Sequence, residues 1–229
     1  MNSFKTRFVA NLQIVMKTKK RIILILLFPI TLGFIYSMNS KKMTHKIIPK
    51  IIKEEALIAL SHYPDLKDTA IEFVIKPSLK TSFMKAQPVF KTILNPSKNR
   101  CYKIFISEHF VVENKKVSLD EIPKNVLIGW LGHELGHVMD YKNRSGVDLI
   151  AFGIRYLFSQ KHIREAERVA DSYAVSNGMG DYILATKNYI LNHADFSDTY
   201  KNRIKRLYVS PDEILELIEE TDSINNLKE

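Results

Sequence analysis

Apolar residues between positions 118 and 177 recur at helical spacing and predict three consecutive helices. Val126, Leu127, Trp130, Leu131, Leu135 and Val138 give the first, an amphipathic helix. The capping pattern Ser118-Leu119-Asp120-Glu121 and an early Pro123 mark its start, and Asn143 to Gly146 mark its stop. Gly129, Gly132 and Gly136 lie inside it, each costing about 1 kcal/mol of helix propensity relative to Ala. Close backbone approach to a strand or a substrate is the expected compensation. Asp148 starts a second apolar segment, Leu149 to Phe158, which reads as a helix covering the core, and Gln160 to Asn177 reads as a third helix.

Upstream the period changes. Ala70 to Lys76 and Cys101 to Ser107 alternate as half-buried strands do, and His45 to His62 reads as an amphipathic helix ahead of the first strand. Ser210 to Glu220 opens with Ser-Pro-Asp-Glu and reads as a capped C-terminal helix, with Thr221 to Glu229 a polar, frayed tail.

The first forty residues differ in kind. Ile22 to Tyr36 is an apolar run behind Lys17, Lys19, Lys20 and Arg21, followed by no charge until Lys41. It reads as a cleaved secretory signal or an uncleaved membrane anchor, with Met16 an alternative start to Met1. Pro29 and Gly33 suit a membrane segment better than a buried core helix. The chain carries a net +9, but Lys5, Arg7 and that basic cluster supply six positive charges before the first acidic residue, Glu54. Setting those six aside leaves +3, an ordinary value, and no basic strip interleaved with aromatics argues for nucleic acid. One cysteine, Cys101, excludes an internal disulfide. The expected organisation is a targeting segment over 1–40, one catalytic domain over 41–220 and a tail over 221–229. The roughly 190 residues after the targeting segment suffice for one core. The domain is expected outside the cytoplasm, either membrane-anchored or released. Residues 41–70 precede the catalytic core and are candidates for covering its cleft in a latent form.

Candidate chemistry lies in the first of the three helices, at His133-Glu134-Leu135-Gly136-His137. Histidines four apart on a helix lie about 40° apart around its axis, so both imidazoles can reach one Zn²⁺. Glu134 beside them is placed to take a proton from a metal-activated water and pass it to a leaving amine. A catalytic zinc usually takes three protein ligands. Metzincin spacing would put Gly and His where this chain has Asp140 and Asn143, which excludes that class. In the helix after residue 160, Glu167 and Asp171 share a face at i and i+4, together with the small Ala170 and Ala174 that would permit close approach. Glu167 is the candidate third ligand. Asp171 is the candidate partner for the second ring nitrogen of His133. Glu165, about 200° from Glu167 around the axis, is the lesser candidate.

HELGH at 133–137 followed by Glu167-Arg168-Val169-Ala170-Asp171 resembles the gluzincin metallopeptidases, in particular the branch of the heat-shock membrane protease and the CAAX-prenyl protease, and the minigluzincins. The likeness spans roughly residues 100 to 208. It implies an α+β, zincin-like fold: a small mixed sheet, an active-site helix and a second metal-ligand helix. It also implies Zn²⁺ on His133, His137 and Glu167, Glu134 as acid/base, Asp171 behind the ligands, and a peptide or protein substrate. Zincins pair extended substrate with an edge strand, a role the likeness gives to Tyr102, Ile104 and Ile106. The branch carries a later His-Pro and Arg-Ile; Arg203-Ile204 fits, whereas the His-Pro place reads Ser197-Asp198. Arg203 is thus a candidate for oxyanion stabilisation, for a structural role, or for the basic face of a short helix. His162, His193, Tyr200 and Tyr208 are further candidate oxyanion donors. Two other classes stay open: a catalytically silent zinc-binding module of the same fold, and a membrane-associated helical protein in which HELGH binds no metal.

Overall fold

The computed structural model describes residues 46–79, 82–112, 115–192 and 198–227. They form a mixed α+β fold, mostly helical, with a small mixed sheet. The chain divides into two units, residues 1–41 and 42–229, and all described residues belong to the second. The apolar run Ile22 to Tyr36 lies outside the described residues. Among the described residues, no helix is long and apolar enough to cross a membrane.

The sheet has the order β1-β2-β4-β3, built from β1 (Lys46–Ile47), β2 (Ala70–Lys76), β3 (Met84–Pro88) and β4 (Cys101–Ser107). β1 and β4 run parallel to β2, and β3 runs antiparallel to β4 along the outer edge. Alternation separates the two faces. Register aligns Ile71 with Tyr102 and Phe73 with Ile104, and Met84 and Ala86 with Ile106 and Ile104; all are buried in the core. The other face is wetter, with a half-exposed Lys103–Glu72 ion pair at 2.8 Å. β5 (His109–Val112) and β6 (Lys115–Ser118) form a separate antiparallel pair.

The helix expected over His45 to His62 is shorter. Pro49 stands ahead of a 3-10 turn, Lys50–Ile52, and α1 covers Lys53–Ser61. Proline removes a donor and disfavours helix in the residue before it, which leaves Lys46–Ile47 free to extend as β1. Ile52, Ala56, Ala59, Tyr63 and Leu66 are buried in the core, and β1 pairs at the edge of the sheet away from β3. Residues 46–70 therefore build the fold and do not cover the cleft described below, none of whose lining comes from them.

Helix α2 (Lys124–Asn143) follows a 3-10 turn, Leu119–Glu121, and it is this turn that the Ser118/Glu121 capping box closes, with Pro123 at the helix N-cap. The expectation of an amphipathic helix is corrected: every residue from Val126 to Tyr141 is buried. Its polar side chains His133, Glu134, His137 and Asp140 lie 6–7 % exposed. At the C-terminal end, the buried Arg100 guanidinium donates to the carbonyls of Tyr141 (3.1 Å) and Arg144 (2.7 Å), satisfying acceptors the helix leaves open.

The remaining helices are α3 (Gly146–Phe158), α4 (Gln160–Ser176), α5 (Gly180–Asn192), α6 (Asp198–Leu207) and α7 (Pro211–Asn226). Ser145 and Ser159 side chains cap α3 and α4 by accepting from the Asp148 and His162 amides. α4 ends in a Schellman motif. Gly178 at φ +76° lets its own amide reach Val175 O (2.9 Å) and that of Met179 reach Ala174 O (3.0 Å). α7 runs to Asn226, so the tail expected to fray from Thr221 is helical over most of its length. Two glycines of α2 admit its neighbours, which are helices and not the expected strand or substrate. A Cβ on Gly129 would lie 2.2 Å from Tyr182 O of α5, and one on Gly136 would lie 2.2 Å from Ala170 O of α4.

Candidate metal centre

The contact at Gly136 sets the distance between α2 and α4 and so places two i, i+4 pairs face to face. Nε2 of His133 lies 3.0 Å from Glu167 Oε2, and Nε2 of His137 lies 3.5 Å from the same oxygen. The three residues offer ligand atoms that all lie within 4.8 Å of one another, so together they could hold a metal ion. The His133 and His137 rings stand edge to face, 4.8 Å apart at 85°. Nδ1 of His133 is bonded to Asp171 Oδ1 at 2.7 Å, which leaves Nε2 as the nitrogen facing the cluster. Two imidazole nitrogens and one carboxylate oxygen form a donor set that suits zinc, with room in coordination number for a fourth group. Glu165 faces away, its side chain 69 % exposed.

Burial and charge oppose one another throughout the cluster. For His133 burial disfavours the charged form, but the Asp171 and Glu167 carboxylates outweigh it and push its pKa up to about 10. Burial likewise resists ionisation of Glu167, and the His137 and His133 imidazoles overcome it, holding the carboxyl well below the usual range. Asp171 is lowered against its own burial by the Lys187 ammonium and then by His133. Glu134 goes the other way: burial dominates the histidines and raises it. A carboxyl raised by burial is a better proton carrier near neutrality than one in water.

Four contacts around the cluster have no counterpart in the sequence reading. The Tyr156 hydroxyl on α3 donates to Glu167 Oε1 at 2.8 Å, occupying the oxygen that turns away from the histidines. Lys187 on α5 places Nζ 2.7 Å from Asp171 Oδ2, a pair with 6 % and 0 % side-chain exposure. Tyr141, one turn beyond His137, stacks on it at 5.9 Å and 14°. The Ala86 amide of β3 donates to Glu134 Oε2 at 2.5 Å. Tyr156 sat inside an apolar run read as core cover, and Lys187 is sixteen residues from Asp171 on a helix the pattern did not predict; only the fold joins them.

The expected edge strand is also corrected. Tyr102, Ile104 and Ile106 belong to β4, which is hydrogen-bonded on both sides, and their side chains are 0–1 % exposed. The strand beside the cluster is β3, whose pairing with β4 occupies one edge and whose other edge reaches Glu134 through Ala86. Among the candidate oxyanion donors, Arg203 and Tyr208 line the cleft, and Tyr208 stands 6.2 Å from the His133 ring. His162 does not line it; it packs against Phe152 at 5.0 Å. His193 and the Tyr200 side chain lie outside the described residues.

These groups open on a cleft of about 680 Å³. His133, Glu134, His137, Glu167, Asp171 and Lys187 contribute its ionisable groups at the cluster, and Ile93, Trp130, Ile150, Ile154, Ile183 and Ile190 give it largely apolar walls. A cavity of this size and character, with a few convergent polar groups, is the usual form of a ligand site. No known family profile, no curated protein and no solved structure matches the chain.

Proposed function

We propose that the protein is a zinc-dependent metallopeptidase of the gluzincin kind, on a zincin-like fold. The observation that carries this reading is the convergence of His133, His137 and Glu167, with Asp171 bonded behind His133 and Glu134 set between the cluster and the edge of β3. A zinc ion held by those three side chains would supply Lewis acidity, polarising the scissile carbonyl and making water a nucleophile near neutral pH. Glu134 takes the proton of the attacking water and returns it to the leaving nitrogen, work that suits a carboxyl raised by burial. Asp171 keeps the His133 ring in one tautomer, Lys187 holds Asp171, and Tyr156 holds the outer oxygen of Glu167. An extended peptide added to the outer edge of β3 would lie across Glu134, one hydrogen bond from Ala86.

The test is metal content by mass spectrometry on wild type and Glu167→Ala, followed by cleavage of unfolded substrates by wild type and Glu134→Gln. The proposal expects one zinc per wild-type chain, a marked loss in Glu167→Ala, and zinc without cleavage in Glu134→Gln. Unchanged cleavage by zinc-loaded Glu134→Gln would overturn the mechanism. Zinc without cleavage in the wild type would leave a zinc-binding module of the same fold.

A further inference from the structure

Helix α3 carries a second apolar face that the fold does not use. Leu149 and Phe152 are buried, whereas Val147, Ile150, Ile154, Leu157 and Phe158 recur at i, i+3, i+7, i+10 and i+11 and so share the opposite side. Their exposures run from 41 % at Ile150 to 84 % at Phe158. Phe90, 82 % exposed, extends the patch from the short turn Phe90–Thr92. Ile93, just after that turn, packs against the start of α3, where a Cβ on Gly146 would lie 2.5 Å from Ile93 O. Phe90, Ile150, Ile154 and Leu157 also border the cleft, so the patch forms part of its mouth. Exposed Lys91 and Lys161 stand at or next to its borders in the chain, and the exposed Arg155 is shared with Asp148 at 3.4 Å. A contiguous apolar face of this kind is rare on a protein surface that contacts only water.

The chain ahead of the described residues indicates what covers it. The apolar run Ile22 to Tyr36, behind its basic cluster, reads as a membrane anchor in its uncleaved form, and only nine residues of sequence, 37–45, separate it from Lys46. So short a connection in sequence would keep the domain tethered beside lipid wherever that run stays anchored. An apolar helix face with basic residues at its margin matches the headgroup and acyl boundary of an anionic bilayer. We propose that the exposed face of α3, together with Phe90, docks in the interface of an anionic membrane and holds the mouth of the cleft at the lipid surface.

The experiment uses the full chain in vesicles of three parts phosphatidylcholine to one part phosphatidylglycerol, with plain or brominated acyl chains. The single native tryptophan, Trp130, is buried beside Phe83 in the cleft wall and is common to every variant, so wild-type emission in each vesicle type is subtracted as the baseline. Phe158→Trp reports on the patch, and Leu57→Trp, at a half-exposed apolar position on α1, is the control. Docking predicts that emission of the Phe158→Trp label shifts to the blue and is quenched by brominated chains, while the Leu57→Trp label is unaffected. Adding Ile154→Asp and Leu157→Asp should abolish the quenching with circular dichroism unchanged. The proposal is overturned if the Phe158→Trp label emits as in water while the chain stays with the vesicles, or if the chain does not bind them. It is equally overturned if both labels are quenched alike, or if a blue shift without quenching accompanies self-association or added apolar peptide. No readout uses catalysis, so this result and the peptidase assay fail independently.

Discussion

Lys187→Met is the sharpest test of how the centre is held. Methionine keeps most of the stem volume and removes the ammonium 2.7 Å from Asp171 Oδ2, in a pair with 6 % and 0 % side-chain exposure. Breaking one side of a buried pair typically costs 3–5 kcal/mol, because the remaining charge is left uncompensated. Here His133 also faces Asp171, and with its pKa pushed up to about 10 it is charged at pH 7 in metal-free protein. That partner softens the loss, so we expect the lower end of the range, about 3 kcal/mol. Against a typical domain stability of about 5–15 kcal/mol this is a large fraction. The assay is urea denaturation of chelator-treated protein at pH 7, with circular dichroism as the probe. The same substitution in the Asp171→Asn background should be neutral or stabilising, since the lysine there is itself a buried charge without its counter-ion. A loss below about 1 kcal/mol in the wild-type background would put the pair on a par with a surface ion pair and refute the reasoning.

Metal affinity should tighten about tenfold between pH 7 and pH 8 in metal-buffered titrations, because binding displaces the proton that keeps His133 charged up to about pH 10. In metal-free protein the same raised pKa gives a stabilisation fully present below the ordinary histidine value near pH 6.5 and lost as pH rises through about 10, which denaturation at a series of pH values would read. Tyr156→Phe removes the bond to Glu167 Oε1 and should weaken metal binding about 10- to 100-fold with little change in fold, as judged by competition with a chromophoric chelator. Gly136→Ala would set a methyl 2.2 Å from Ala170 O, and the forced separation of α2 and α4 should destabilise the protein by about 1–3 kcal/mol or more and lower metal content; an unaltered denaturation midpoint would contradict the packing argument.

The candidate centre was legible because its groups obey local spacing. His133 and His137, and Glu167 and Asp171, are both i, i+4 pairs, and Ala170 announces the closeness that Gly136 completes. What supports those groups was not legible. β3 reads Met-Lys-Ala-Gln-Pro, with only two apolar residues facing the core and a proline at its end, so it lacks the pattern by which the longer β2 and β4 declare themselves. With β3 missed, β4 was the nearest strand on which to place a substrate edge. α5 opens with glycine and buries Thr186 and Lys187 among its apolar residues, which hides its inner face from a hydrophobicity reading. The polar side of α2 reads as solvent-facing for the same reason: its histidines and Glu134 are buried against α4, β3 and aromatic side chains that lie far away in the sequence or on other elements.

The burial of α2 beneath its neighbours, with the cleft reaching it at His133, Glu134 and His137, fixes a hierarchy of lifetimes. A helix buried along its length resists local opening, so amides from Val126 to Tyr141 should exchange with deuterium far more slowly than those of the half-exposed α3. Both histidines of the centre then persist for as long as the native state does. Glu167 belongs to a helix that still presents Arg164, Glu165 and Arg168 to water, and it is steadied at its outer oxygen by Tyr156. The residence time of an ion held there would therefore be set by how often one carboxylate swings free, and would be tunable through α3 and α4 without loosening the helix that carries the histidines.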